Sequence, residues 1–328
     1  MNRNKRSITV DLQTPEGVKI IHGLLPQCDV VVQNFKTGGA EKLGLGYEQL
    51  KAIKPDLIYC SVAGYDSSGP EAKRPGYDLV IQGESGLMAL NGEANTPPLK
   101  FGVAVVDLMT GMYATVSILA AVAEREKSGL GQHVDMALLD TQVAMTANMS
   151  MNYLATGKAP VRSGNAHSNI VPYQTFAAAD GHIILAVGND SQFIKLCAVG
   201  GRPELATDAR FSTNPARVKH RDVLVPLLEQ MFAKQPMAFW SEQLEGVGVP
   251  CGAINNLQQV YDDPQVQARG MRIELPHPTA GTVPLVGSPI KLSRTPVEYR
   301  TAPPMLGEHT GEVLGSLLGY SDDEIAAL

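Results

Sequence analysis

The first half of the chain alternates short β-branched or apolar runs of strand length with stretches that have helical apolar spacing, and this constrains the fold most. Residues 7–12 (SITVDL), 29–32 (DVVV), 57–62 (LIYCSV) and 133–138 (HVDMAL) have strand composition, and helical patterns lie between them. Strands that alternate with helices in this way build parallel βαβ units. The first helix has a defined start, with Thr14 placed to cap it and Pro15 in its first position. Val18, Ile20, Ile21, Leu24 and Leu25 form its apolar face. The continuous apolar run at 29–32 predicts a strand buried on both faces. Residues 64–76, rich in Gly, Ser and Pro, form a loop after the third strand, where parallel sheets bind ligands.

A long helix is predicted over 107–127, stopped by Ser128-Gly129-Leu130-Gly131. Its most apolar part, residues 112–123, is interrupted by Thr115 and Ser117 and is shorter than the roughly 20 residues that span a bilayer. That predicts a buried helix and no membrane partner. From about residue 173 the texture changes. Residues 173–177 and 182–187 flank an Asp180-Gly181 turn as a hairpin, and helical patterns follow at 192–199, 218–234 and 237–247. Residues 271–292 return to short strands, and 308–318 reads as a helix. The expected organisation is a large α/β domain over 1–150, a linker over 151–170, a smaller α+β domain over 171–270, and a segment over 271–328 that returns to the large domain.

Composition narrows the function. The formal net charge is -6, and only Arg3, Lys5 and Arg6 cluster, which argues against a nucleic-acid partner. Cys28, Cys60, Cys197 and Cys251 form no CxxC pair and read as buried thiols in a reducing compartment, so the cytoplasm is the expected location. The seven histidines show no metal-ligand spacing, and no metal is expected. Gly83-Glu84-Ser85-Gly86-Leu87 lacks the last glycine of a nucleophile elbow, and Gly44-Leu45-Gly46 lacks the third glycine of a dinucleotide fingerprint. Serine hydrolysis and nicotinamide-linked redox chemistry are therefore unsupported.

A series of segments carries a different chemistry: residues 2–8 (NRNKRSI), 29–35 (DVVVQNF), Arg74-Pro75-Gly76-Tyr77-Asp78, Asp107-Leu108-Met109-Thr110-Gly111, and 129–135 (GLGQHVD). Residues 164–174 (GNAHSNIVPYQ), 248–255 (GVPCGAIN) and 306–310 (LGEHT) complete it. In order and spacing the set resembles the class III (CaiB/BaiF) CoA transferases along the whole chain. The resemblance implies a Rossmann-like large domain with a parallel sheet plus a smaller α+β domain. Family members begin earlier, with a strand, a glycine-containing loop and a helix. The large domain is therefore expected to be incomplete here, starting at Met1-Asn2-Arg3-Asn4.

The same resemblance assigns roles. By pattern alone Asp107 reads as an N-cap, at a helix terminus whose unpaired N–H groups favour negative charge and an oxyanion. The family's acyl-accepting aspartate falls at this position, which implies a mixed anhydride and then an aspartyl-CoA thioester on Asp107. The implied contacts for coenzyme A are Val10, Asn34, Phe35, Lys36, Lys42, Tyr77 and Asp78, with His167 at the acyl pocket. Asp78 alternatively caps a following helix over 79–88, Tyr77 reads otherwise as a packed aromatic, and the lysines as solvated surface charges. The surroundings of His167 resemble the succinate-hydroxymethylglutarate CoA transferase branch, implying a dicarboxylate donor such as succinyl-CoA. Coenzyme A enters as a substrate with a carboxylic acid acceptor, no cofactor is implied, and the implied assembly is an interlocked homodimer. Related acyl-CoA racemases carry a His-Asp pair where this chain has Tyr77-Asp78, and a tyrosine, of reference pKa about 10, serves poorly as the α-carbon base. Racemisation is thus the alternative, and a truncated, inactive remnant is the third reading.

Overall fold

The β-branched runs become a parallel sheet. In the computed structural model, which describes residues 2–328, helix α1 (Pro15–Leu24) precedes strand β1 (Val30–Gln33). Helix α2 (Tyr47–Ile53), strand β2 (Ile58–Ala63), helices α3 (Asp78–Glu84) and α4 (Val105–Ser128), strand β3 (His133–Ala137) and helix α5 (Leu138–Met145) follow. The strands pair in the order β1-β2-β3, all parallel, with Val32 opposite Cys60 and Cys60 opposite Val134. Thr14 caps α1 by accepting the Gly17 N–H, and Pro15 takes the first turn. Helix α4 stops at Gly129, whose φ of 76° is the left-handed value that glycine adopts without a Cβ penalty. Two small cores hold these elements. Leu25, Leu50, Leu57 and Tyr59 fill one, and Tyr65, Ile81, Val105, Val106 and Leu138 fill the other, between α3, α4 and α5.

Three features of this unit differ from expectation. Residues 7–12 form no strand. Three of their backbone hydrogen bonds go to the chain near the C-terminus: Ser7 N–H donates to His309 Nδ1 at 3.2 Å, Thr9 N–H to Thr310 Oγ1 at 3.0 Å, and His309 N–H to Ser7 O at 2.9 Å. β-Branched composition made the segment extended, but side chains and a turn took the place of a sheet partner. Strand β1 is an edge strand and not a doubly covered one, because Val32 is 60% exposed. Helix α4 buries Val106, Thr110, Ala114 and Ala121 but exposes Met112, Val116 and Leu119, so only one face is covered. By length and composition it is also long enough to cross a membrane. What argues for a core helix is the packing of its other face against α5, β2 and β3.

The chain divides into two compact units. One holds the chain up to Met88, Lys100–Lys158 and Pro264–Leu328; the other holds Ala89–Leu99 and Ala159–Asp263. In the second unit the Asp180-Gly181 turn joins β4 (Tyr173–Ala178) to β5 (Gly181–Ala186), with β6 (Cys251–Ala253) antiparallel on the far side of β5. Helices α6 (Asp190–Val199), α7 (Arg221–Phe232) and α8 (Met237–Gly246) cover this sheet. The helix expected over 218–234 is broken at His220, after a separate short helix, Asn214–Lys219. Phe176 stacks on Phe232 at 4.7 Å, Trp240 packs tilted against Phe232 at 4.4 Å, and Trp240 Nε1 donates to Phe232 O at 2.9 Å, so the buried indole leaves no polar atom unpaired. The chain then returns to the first unit with the hairpin β7 (Arg272–His277) and β8 (Gly281–Val286) and helix α9 (Thr310–Leu318).

Candidate active site

Two helix starts meet at one cavity of about 340 Å³, lined by Asn34, Tyr77, Asp78, Asp107, Thr110 and Gly111 among others. The approach of the chain to Tyr77 depends on two glycines. A Cβ on Gly64 would meet Gly76 Cα at 2.4 Å, and one on Gly76 would meet Gly64 Cα at 2.5 Å, so neither position admits a side chain without displacement. The loop after β2 therefore folds back against itself and delivers Tyr77 and Asp78 to the cavity. Asn34 is anchored at the end of β1, where its Nδ2 donates to Val62 O at 2.6 Å.

Asp107 is the third residue of α4 and not its cap; Ala104 occupies that position and offers no side-chain acceptor. The cap comes from elsewhere. Asp78 Oδ1 accepts the N–H of Val106 at 2.8 Å and of Asp107 at 3.3 Å. Asp78 thus caps α4 across 28 residues and not the helix it begins, for which the N-cap position belongs to Tyr77. The remaining first-turn amides are also engaged, Val105 N–H with Val103 O and Leu108 N–H with Ala104 O. The N–H groups of this helix start, expected to favour an oxyanion, are all engaged within the protein.

Burial raises the Asp107 carboxyl above its ordinary pKa, and the negative charge of Asp78 raises it further. A carboxylate held this way is more basic and more nucleophilic than a solvated one. One turn on, a Cβ at Gly111 would meet no atom within 4 Å, which leaves open space beside Asp107. Thr110, buried below it, is tied down through Oγ1 to Val106 O at 2.8 Å.

The structure gathers Asn34, Tyr77, Asp78 and Asp107 at this cavity but not the other candidates. Phe35 and Lys36 line a separate, narrow cleft with Tyr47, Ser61, His133 and Asp135. Lys42 lies in a shallow groove with Lys19 and His22, and Val10 in another with Asp11 and Thr310. His167 belongs to the second unit, where its N–H donates to Tyr173 O at 2.9 Å and its Nδ1 accepts the Asn169 N–H at 3.1 Å. Tyr77 is 72% exposed, which removes the packed-aromatic alternative. Sequence reasoning missed Gln82, a buried amide one helical turn after Asp78 whose i, i+4 spacing was the available signal. No cluster of three or more metal-ligating side chains occurs among the described residues.

Residues 1–310 match the model of CoA-transferase family III. The chain is 46% identical over 316 residues to a succinate–glutarate CoA-transferase of Agrobacterium fabrum, covering 96% of this chain and 79% of that protein. It is 41% identical over 328 residues to the human succinyl-CoA:glutarate CoA-transferase, covering 100% of this chain and 75% of that one. Among solved structures, a CaiB/BaiF family protein from Brucella suis superposes with a TM-score of 0.84 at 47% identity, covering 96% of this chain and 82% of that one.

Proposed function

The chain belongs to CoA-transferase family III and is a CoA-transferase, and on that premise we propose that Asp107 carries the acyl group while coenzyme A passes from one carboxylic acid to another. The observation that carries this reading is the placement of Asp107: a carboxylate raised above its ordinary pKa, at the edge of a cavity, with open space over Gly111 beside it. An oxygen of Asp107 attacks the thioester carbonyl of the donor, the C–S bond breaks, and the thiolate of coenzyme A leaves with the electron pair, giving a mixed anhydride. The thiolate attacks the aspartyl carbonyl of that anhydride and expels the donor acid as its carboxylate. An aspartyl-CoA thioester remains. The acceptor carboxylate then displaces the thiolate to form a second anhydride, and the thiolate attacks the acceptor's carbonyl, restoring the Asp107 carboxylate. Each step exchanges one anion for another, so electrons and protons balance without a further cofactor.

Coenzyme A is the substrate common to both halves of the reaction. Asn34, whose amide keeps a second N–H after bonding Val62, and Tyr77 are the polar groups that share the cavity with the two carboxylates. Lys36, Lys42, Phe35 and Val10 are the contacts we assign to the remainder of coenzyme A, and His167 the one we assign to the acyl group. The two curated relatives are named for succinate or succinyl-CoA with glutarate, which supports a dicarboxylate donor such as succinyl-CoA. The same reading places a homodimer in the cytoplasm.

The test is a coupled pair of assays on the full chain. Incubation with succinyl-CoA and glutarate is expected to yield glutaryl-CoA with the parent protein and none with Asp107→Asn. Deuterium uptake at the α-carbon of a branched acyl-CoA, without exchange of the acid, would instead establish racemisation and overturn the proposal.

A further inference from the structure

Gln82 lies one turn after Asp78 on α3, is 1% exposed, and uses both ends of its amide. Its Nε2 donates to Asp78 Oδ2, while its Oε1 accepts the N–H of Phe101 at 2.7 Å. The orientation of that amide is fixed by its partners, because a backbone N–H requires an acceptor and a carboxylate requires a donor. Asp78 thus has one oxygen on Gln82 and the other on the amides of Val106 and Asp107. Phe101 stands on the segment that leads into α4. One buried side chain therefore grips the approach to α4 and, through Asp78, the first turn of α4 itself.

We propose that Gln82 is a positioning residue for the transfer reaction: it locks the Asp78 carboxylate onto the start of α4 and so fixes where Asp107 meets the thioester. This rests on the reading of Asp107 as the acyl carrier. A carboxylate at the third position of a helix is aimed by the backbone of that first turn. Here the turn has no cap of its own, since Ala104 offers no side-chain acceptor. Asp78 replaces it, and without Gln82 only one of the two Asp78 oxygens is held. The ionisable group that Gln82 bonds is Asp78 on its own helix, where Glu84 turns away to Tyr65 and Arg74; the α5 side chains in the adjoining core, Leu138, Leu139 and Met145, carry no charge.

Three full-length proteins test this: the parent, Gln82→Met and Gln82→Glu. Methionine keeps the volume and loses both hydrogen bonds, so kcat for CoA exchange between succinyl-CoA and glutarate is expected to fall by about 100-fold, the scale of a small misplacement of a reacting group. KM should stay close to the parent's. Glutamate retains the acceptor for Phe101 but donates to Asp78 only when protonated, so the activity of Gln82→Glu relative to the parent should rise as pH is lowered. Burying a charge alone would give part of that dependence, so the uncharged Gln82→Met decides between the two. Amide hydrogen exchange over residues 101–108 reads the same lock without any turnover: Val106 and Asp107 should exchange faster in Gln82→Met. Unchanged kcat in both variants, or unchanged protection of those two amides in a folded Gln82→Met, overturns the proposal. If Asp107→Asn is instead as active as the parent, the assignment of Asp107 falls, while amide exchange still decides whether Gln82 holds the first turn of α4.

Discussion

Asp78 accepts the backbone N–H of Asp107 at 3.3 Å, so two carboxylates share a single helix start and one fixes the backbone of the other. The arrangement has an electrostatic consequence, since each charge opposes the other at close range in a site partly shielded from water.

That opposition sets an expectation for pH. Burial first, and Asp78 second, hold the Asp107 carboxyl above its ordinary pKa, so as pH falls the anion, which we propose as the nucleophile, is lost earlier than from a solvated aspartate. Asp78→Asn removes the second cause and retains an oxygen to cap α4, but its Nδ2 then faces Gln82 Nε2, so kcat should fall while the position of the pH limb reports the charge. The acid limb of kcat/KM for CoA exchange should therefore move to lower pH, although burial keeps it above the position of a free carboxylate. A limb that moves to higher pH, or stays in place, contradicts this origin.

The back-to-back glycines make a steric prediction. Gly76→Ala places a methyl group about an atom's radius inside Gly64, and overpacking of that kind costs about 1–3 kcal/mol. Urea unfolding should show a lowered midpoint, and activity should fall with it, since the displaced backbone carries Tyr77 and Asp78. A midpoint equal to the parent's would mean that the loop yields freely.

In the second unit, the guanidinium of Arg217 is fully buried. It donates to Val171 O at 2.6 Å, Phe211 O at 2.9 Å and Asp190 Oδ1 at 2.8 Å, over the ring of Phe193. Arg217→Met leaves the buried Val171 and Phe211 carbonyls without a donor, while the half-exposed Asp190 turns to water, and should destabilise the protein by about 1–3 kcal/mol per stranded carbonyl. Arg217→Lys should recover little, because a single ammonium does not reproduce the planar fork of donors. Thermal melting of both variants checks the pair.

Thiol labelling separates the four cysteines. Cys60 and Cys197 are fully buried, and burial pushes the Cys197 thiol up to about 12. A thiol reagent at neutral pH should leave both unmodified in the native protein and reach them only on unfolding, whereas the half-buried Cys28 and Cys251 should be modified first. Rapid native labelling of Cys197 would contradict the packing of that core.

Local chemistry made much of this legible in the sequence. Thr14 and Pro15 announce α1, and Asp180-Gly181 announces the β4–β5 hairpin; each depends on residues within one turn of itself. Strand periodicity identified β2 and β3 within a residue. What it did not convey was long-range partnership. Residues 7–12 have strand composition, but their hydrogen bonds go to residues some 300 positions away. Asp78 looks like a cap for its own helix, yet its partner lies 28 residues on. Asp107 stands out by its setting in a longer pattern, while the engagement of every first-turn amide of α4 depends on a loop conformation that no local signal encodes. Gln82 remained unseen for the same reason, since one of its two partners is the backbone of Phe101.

The most direct measurement is chemical trapping on the intact chain. The protein is mixed with succinyl-CoA, quenched with hydroxylamine, digested, and read by mass spectrometry. The peptide containing Asp107 is expected to carry a hydroxamate, which forms only where a carboxyl has been activated as anhydride or thioester, and Asp107→Asn should show none. A parent protein that exchanges coenzyme A at full rate while every Asp107 peptide stays unmodified, or an Asp107→Asn variant that turns over like the parent, would contradict the account.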